Sequence, residues 1–385
     1  MGSESQPAAG SEVETPIYAE PVRGSYLDPG LFASLPGLEM LRAFLDGRQL
    51  PPPGAHLYGL RITEVDPEVV TFEMPASPWL SPPVGVIQGA ALALLVDAPL
   101  GCAFQTTLPP ATPYTTSEMS LSFIHPVLPD GGMLTSTARV VHTGRTIGLT
   151  DATVKDQAGN LMATASTRLV VLPKIDFPGD LVAQALRNPP HPHVPTWPNP
   201  DPTDRPVQGA VQPQSVFDRL SGLEVMRGCM TGALEAPPVS HLFGLRPTAV
   251  EEGTTTWTAP STEWLCSPVE GRLYGGFLAF FAGNAADGAI MSTCEAGTAL
   301  APVDLKVYFL RPVAPHGENL TAVGRVIHRG RSVAIATAEV HDRDGRLVAT
   351  AISSSMILPG RPATIISPPS PDGPQPEVSP AGSEA

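Results

Sequence analysis

One carboxylate stands alone in an apolar run. Asp97 falls near the end of the stretch 84–98, Val-Gly-Val-Ile-Gln-Gly-Ala-Ala-Leu-Ala-Leu-Leu-Val-Asp-Ala, and no other charged residue lies between Glu73 and Glu118. Every side chain from Ala90 to Val96 is apolar, and the Ala and Leu content favours a helix buried on all sides. An ionised Asp97 inside such a helix costs several kcal/mol unless it is paired, hydrogen-bonded or wetted by a pocket. A carboxylate placed in a pocket can activate water or attack an acyl carbon. The alternative is a structural acid bonded to a free backbone group near Pro99, a residue expected to disrupt the helix just beyond it. Gly89 opens the run, where the free N–H groups of a helix start suit a developing oxyanion and a missing side chain lets a carbonyl approach. Close packing of helix on sheet asks for glycine equally well.

The elements that must position these residues follow in a legible order. Leu38 to Leu45 reads as a short amphipathic helix, and Gly59 to Pro75 as a pair of strands. After the helix at Gly89, Met119, Leu121 and Phe123 alternate with Glu118, Ser120 and Ser122, as in a half-buried strand. Three more strands are expected over Met133 to Val141, Thr146 to Lys155 and Leu161 to Leu172, with turns at Thr143-Gly144 and Ala158-Gly159. One helix and a long antiparallel meander require a sheet that curls around the helix.

The pattern occurs twice. Phe32-Ala-Ser-Leu-Pro-Gly-Leu-Glu-Met-Leu-Arg42 matches Phe217-Asp-Arg-Leu-Ser-Gly-Leu-Glu-Val-Met-Arg227, and His56-Leu-Tyr-Gly-Leu-Arg61 matches His241-Leu-Phe-Gly-Leu-Arg246. Farther on, His142-Thr-Gly-Arg145 matches His328-Arg-Gly-Arg331. The expected division is a tail over 1–27, a first domain over 28–175, a Pro-rich linker over 176–213, a second domain over 214–360 and a tail over 361–385. The linker holds His191 and His193 without cysteine or carboxylate company, so both read as solvated and no metal site is expected.

Composition narrows the partners. The 385-residue chain carries a formal net charge of −14, which argues against nucleic acid or an anionic membrane as the main partner. The four cysteines have no metal-like spacing and read as free thiols in a reducing compartment. The N-terminus carries no secretory pattern, and the longest apolar stretches are broken by glycine and fall short of the roughly 20 residues of a membrane span. A cytoplasmic protein is expected.

Gln88-Gly-Ala-(x)6-Asp97, the Thr115-Thr116 strand start, the strand end at Pro126 and the His-x-Gly-Arg turn together resemble the PaaI-like acyl-CoA thioesterases of the hotdog superfamily. The family's helix opens on His-Gly-Gly, with an acid nine residues after that His; Asp97 lies nine after Gln88. The resemblance implies an α+β tandem, two hotdog domains that each wrap a curled antiparallel sheet around one central helix, paired as a pseudo-dimer. It further implies hydrolysis of an acyl-CoA thioester at the seam, with no cofactor beyond the coenzyme A of the substrate, and a possible homodimer of such chains. In the roles it implies, Asp97 acts on water or the thioester from one domain, Gly275 supplies helix-start amides from the other, and Thr116 orients water or the acid. Gln88, Gly89, Tyr274 and Gly276 would bind the carbonyl, and Arg145 and Arg331 would meet coenzyme A phosphates.

The second copy departs from this pattern. Its helix opens Tyr274-Gly-Gly276, but Gly283 stands where Asp97 does in the first, Pro302 stands for Thr116, and Asp287 comes a turn late. One competent site is expected, Asp97 with Gly275, and one degenerate pocket, where Gly89 faces Gly283 without an acid. Both copies lack the family's His, which keeps open a non-catalytic acyl-CoA-binding or structural double hotdog. A hotdog hydratase or dehydratase is the weaker alternative, because it would need a catalytic His.

Overall fold

The computed structural model describes residues 15–187 and 195–364, and everything said of the structure concerns these residues. The first half runs α1 (Pro29–Ser34), α2 (Gly37–Leu45), α3 (Pro53–Tyr58), β1 (Arg61–Asp66), β2 (Val69–Pro75), α4 (Leu92–Gln105), β3 (Tyr114–Phe123), β4 (Met133–Thr143), β5 (Ile147–Lys155) and β6 (Leu161–Val171). After α5 (Gly179–Arg187) the second half repeats the order: α6 (Gln214–Phe217), α7 (Gly222–Thr231), α8 (Pro238–Phe243), β7 (Arg246–Glu251), β8 (Thr254–Pro260), α9 (Gly275–Met291), β9 (Thr298–Phe309), β10 (Asn319–Arg329), β11 (Val333–His341) and β12 (Leu347–Pro359).

The twelve strands form one antiparallel sheet in the order β1-β2-β4-β5-β6-β3-β9-β12-β11-β10-β8-β7. The halves meet where β3 pairs with β9, with Met119 opposite Val307 and Leu121 opposite Leu305. Strand alternation turns these four side chains inward onto α4 and α9, which pack against each other across the seam. This is the double hotdog: each helix is enclosed by its own half-sheet and by the other helix.

Enclosure explains why α4 is apolar on nearly every face, with Ala93, Leu94, Leu95 and Val96 fully buried. It also carries α4 through Pro99, where the sequence led us to expect a stop; the helix continues to Gln105. An interior proline costs about 3 kcal/mol or more, a cost offset by burial of the whole following turn, Leu100, Ala103 and Phe104 included. Glycine sets the spacing between α4 and α9. A Cβ on Gly283 would lie 2.6 Å from Ala90 Cβ, and one on Gly276 would lie 2.5 Å from the Ala93 carbonyl oxygen.

Part of the N-terminal tail, expected to be disordered, is packed, and so is part of the linker, whose prolines suit a stiff extended strap across a surface. Residues 15–28 reach across to the second half: Trp264 Nε1 donates to the Glu20 carbonyl at 2.9 Å, and Leu27 N to the Pro268 carbonyl at 2.8 Å. The linker does the same for the first half, where Trp79 Nε1 donates to the Arg205 carbonyl at 3.3 Å and Gln212 N to the Pro83 carbonyl at 2.9 Å. The two straps are tied by Arg205 on Glu20 and by Asp201, which takes both Arg23 and His56. The sequence hid this because proline-rich strands without periodicity give no sign of what their carbonyls will meet. Within the linker α5 packs on α1, its Ala185 close over Gly30. Thr364, in the expected C-terminal tail, is buried and bonded to Gln214. His191 and His193 lie outside the described residues.

Candidate active site

Each central helix begins against the middle of the other, so the seam holds two sites related by the internal repeat. At the first, Asp97 of α4 meets the start of α9. Its Oδ2 accepts from Gly276 N at 2.8 Å, and a Cβ on Gly275 would come within 2.8 Å of the same oxygen. Burial raises the Asp97 carboxyl from 3.8 to about 6, with the Gly276 amide pulling the other way. Tyrosines crowd this site: Tyr58 and Tyr274 are buried, Tyr274 donates its hydroxyl to the Leu94 carbonyl at 3.1 Å, and Tyr114 leans over Gly101. The structure thus brings Asp97, Tyr274, Gly275 and Gly276 together. Asp97 lines neither of the two cavities described in the molecule.

The second site is open. A cavity of about 950 Å³ reaches Gln88 and Gly89 at the start of the first helix, and Asn284 and Asp287 on α9. Gln88 Nε2 donates to Asn284 Oδ1 at 3.2 Å. Ser353 Oγ on β12 lies 3.3 Å from Asp287 Oδ1 and 2.8 Å from the Asp304 carbonyl oxygen, the nearer acceptor for its one proton. Desolvation raises Asp287 from 3.8 to about 7, against the lowering effect of neighbouring Gln88 and Ser353. The helix makes its first turn with Ala91 N on the Gln88 carbonyl, which leaves the preceding amides of Gly89 and Ala90 without an intrahelical acceptor. Away from the seam the cavity is apolar, lined by Phe217, Met226, Met230, Met291 and Leu300, and strap residues Pro16, Tyr18 and Gln208 border it.

This corrects the expectation that Gly89 faces a pocket without an acid. Gly283 does pack on Ala90 as the repeat requires, but Asp287 one turn on lines the same pocket as Gln88 and Gly89. Sequence reasoning set Asp287 aside on spacing alone and passed over Asn284; the signal available was that these two are the only polar side chains between Gly275 and Ile290. Half-buried Thr116 lies in β3 opposite Leu169 and lines neither cavity, whereas its counterpart Pro302 does line the larger one. Arg145 and Arg331 are exposed in the β4–β5 and β10–β11 turns and line neither cavity. His56 and His241, expected to serve turn geometry, differ: His56 pairs with Asp201, while His241 lines the cavity with Nε2 buried and unpartnered. Among the described residues no group of three or more His, Cys, Asp or Glu could hold a metal ion, and no helix is long and apolar enough to cross a membrane.

The model of the thioesterase superfamily matches the chain twice, over residues 84–163 and 270–349. Both repeats resemble the thioesterase superfamily over these residues. Each match contains the central helix and therefore one seam acid, Asp97 in the first repeat and Asp287 in the second. Three solved structures are similar to this chain at low identity. The TesB protein of Mycobacterium avium subsp. paratuberculosis is 14% identical, with 80% of this chain and 98% of that one covered and a TM-score of 0.46. A conserved hot dog fold protein from Alicyclobacillus acidocaldarius is 16% identical over 77% of this chain and 95% of that one, with a TM-score of 0.47. The acyl-CoA thioesterase II TesB2 of Mycobacterium marinum is 10% identical over 79% and 97%, with a TM-score of 0.45. No protein of curated function matches the sequence.

Proposed function

We propose that this chain hydrolyses acyl-CoA thioesters at the open seam site, with Asp287 as the general base. The observation that carries the reading is the convergence of one large cavity on a buried carboxylate raised to about 7 and on the uncapped start of the facing helix. An acid with that value is a competent base near neutral pH. In the proposed reaction Asp287 takes a proton from water as the water oxygen attacks the thioester carbonyl. The oxyanion develops against the amides of Gly89 and Ala90, the C–S bond breaks, and the departing thiolate takes up the proton that Asp287 accepted from water. The apolar lining receives the acyl group. Coenzyme A as the carrier rests on the likeness of the helix openings to acyl-CoA thioesterases.

In the same reading Asp97 is a structural acid. Its carboxylate occupies the amide that an oxyanion at α9 would need, and the tyrosines around it take up the space for an acyl group. The test is thiol release from a panel of short, medium, long and aromatic acyl-CoAs. Turnover of an acyl-CoA that fits the apolar lining is expected. Binding of acyl-CoAs with no thiol release from any of them would instead make the chain an acyl-CoA-binding protein.

A further inference from the structure

Helix α9 and strand β9 differ from their first-half counterparts at three neighbouring places. With Asp97 matching Gly283, Gly101 matches Asp287, Gln105 matches Met291 and Tyr114 matches Leu300. The strand register agrees, with Tyr114 opposite Val171 and Leu300 opposite the matching Ile357. In the first half the Tyr114 ring stands edge-on to Phe104, centroids 6.0 Å apart, and a Cβ on Gly101 would lie 2.6 Å from its hydroxyl oxygen. The tyrosine therefore fills the space in which the second half carries the Asp287 side chain. Gln105 closes the next turn, its Nε2 2.8 Å from where a Cβ on Gly37 would be. Gly101, Gln105 and Tyr114 line neither cavity described in the molecule, whereas Asp287, Met291 and Leu300 all line the large one.

Asp287 and Met291 stand at i and i+4 and share one face of α9, so the cavity wall runs from the acid toward the C-terminal end of that helix. Met226 of α7, also on the cavity, lies beside the next residue: a Cβ on Gly288 would meet its Cε at 3.3 Å. Met291 Cγ would be 3.1 Å from a Cβ on Gly222, at the start of the same α7. The path between the two helices is thus walled by methionine, unbranched and adaptable in shape, with Leu300 on the strand side.

We propose that Leu300 is the specificity-determining residue of the open site, keeping open a path along α9 that takes a long straight-chain aliphatic acyl group, where tyrosine at the same position closes the first half. The assignment rests on the reading of this site as the thioester site. With the thioester carbonyl at Asp287, the acyl carbons beyond it pass Leu300 and Met226 and end near Met291. The cavity, at about 950 Å³, stands at the upper end of the roughly 300–1,000 Å³ usual for small-molecule sites, which leaves room for a chain as well as for the carrier's arm.

The experiment measures kcat/KM over straight-chain acyl-CoAs of increasing length and over benzoyl-CoA, for the wild type, Leu300→Phe and Leu300→Ala. Each methylene buried along the path should raise kcat/KM by about fourfold until the path is full. Leu300→Phe narrows the path beside Asp287 and should lower the ratio of long-chain to short-chain kcat/KM by about tenfold or more, the equivalent of two methylenes lost. Leu300→Ala widens it and should move the optimum to longer or branched chains. A wild type that prefers short or aromatic acyl groups to long straight ones overturns the path. A long-to-short ratio that stays unchanged in whichever variant is folded overturns the role of Leu300. In both cases thiol release leaves the thioesterase reading standing. If no acyl-CoA releases thiol, that reading falls and the same ratio is taken from dissociation constants of the acyl-CoAs; a ratio that drops in Leu300→Phe then supports the assignment, and an unchanged one overturns it.

Discussion

At the start of α9 the Asp97 carboxylate sits on the Gly276 amide, with Gly275 leaving room for it and Tyr274 closing the side. At the start of the first helix no such cap is present; Asp287 stands a turn farther along the facing helix, lining one cavity with Gln88 and Asn284. The two places are built from the same repeat, and a shift of one helical turn separates them. A carboxylate that reaches the helix-start amides neutralises them and becomes a cap. A carboxylate set back by about 5 Å, the pitch of one turn, leaves those amides for another oxygen. Side-chain bulk follows the same division, with Tyr274 and Tyr114 at the closed site where Gln88 and Leu300 stand at the open one.

The comparison breaks most easily at the acids. Asp287→Asn is expected to lower kcat on any acyl-CoA that turns over by a hundredfold or more, since a general base contributes about 10²–10⁴, while Asp97→Asn should stay within threefold. Steady-state thiol release on folded variants decides it, and the reverse ranking would move the chemistry to the α9 start.

A smaller effect separates the acids by pH. A base must be deprotonated to work, so kcat should rise through an inflection near 7 and fall about tenfold per unit below it, following the value to which burial pushes Asp287. An inflection near 6 that vanishes in Asp97→Asn would instead report the carboxyl raised less strongly at the closed site.

How much of this could be read from the sequence differs by level. The repeat, the enclosed helices and the curled sheet were legible because burial writes a period into the chain: the strand expected over Leu161 to Leu172 runs Leu161 to Val171, and the helix expected from Leu38 runs Gly37–Leu45. The contact of Asp97 with the opposite helix start was implied by the family resemblance, in which the acid works from the partner domain's helix. Three features were not legible. The helix through Pro99 depends on packing that no local propensity encodes. The straps depend on indole donors at Trp79 and Trp264 finding carbonyls 126 and 244 residues away. The acid of the open site, Asp287, enters the cavity from one turn past the position that spacing rules assign to it.

The finest test concerns stability. Asp97 has an ordinary value of 3.8 and is raised to about 6 by desolvation in the fold, so the folded chain holds its proton more tightly than the unfolded chain. Stability from that proton is fully present below about pH 4 and is lost as the pH climbs through about 6. A shift of this size corresponds to roughly 3 kcal/mol at most, and the Gly276 hydrogen bond is already counted within it. Asp97→Asn keeps an oxygen acceptor for the Gly276 amide and cannot ionise. Relative to wild type it should therefore gain stability between pH 4 and pH 8, by about 1–2 kcal/mol once relaxation of the site is allowed for, read as the difference in denaturation midpoint at the two pH values. Asp287 titrates in both proteins, so its contribution cancels in the difference. A variant that instead loses ground as the pH rises would show that the ionised carboxylate on the start of α9 is a net stabiliser, with the helix amides outweighing the desolvation of Asp97.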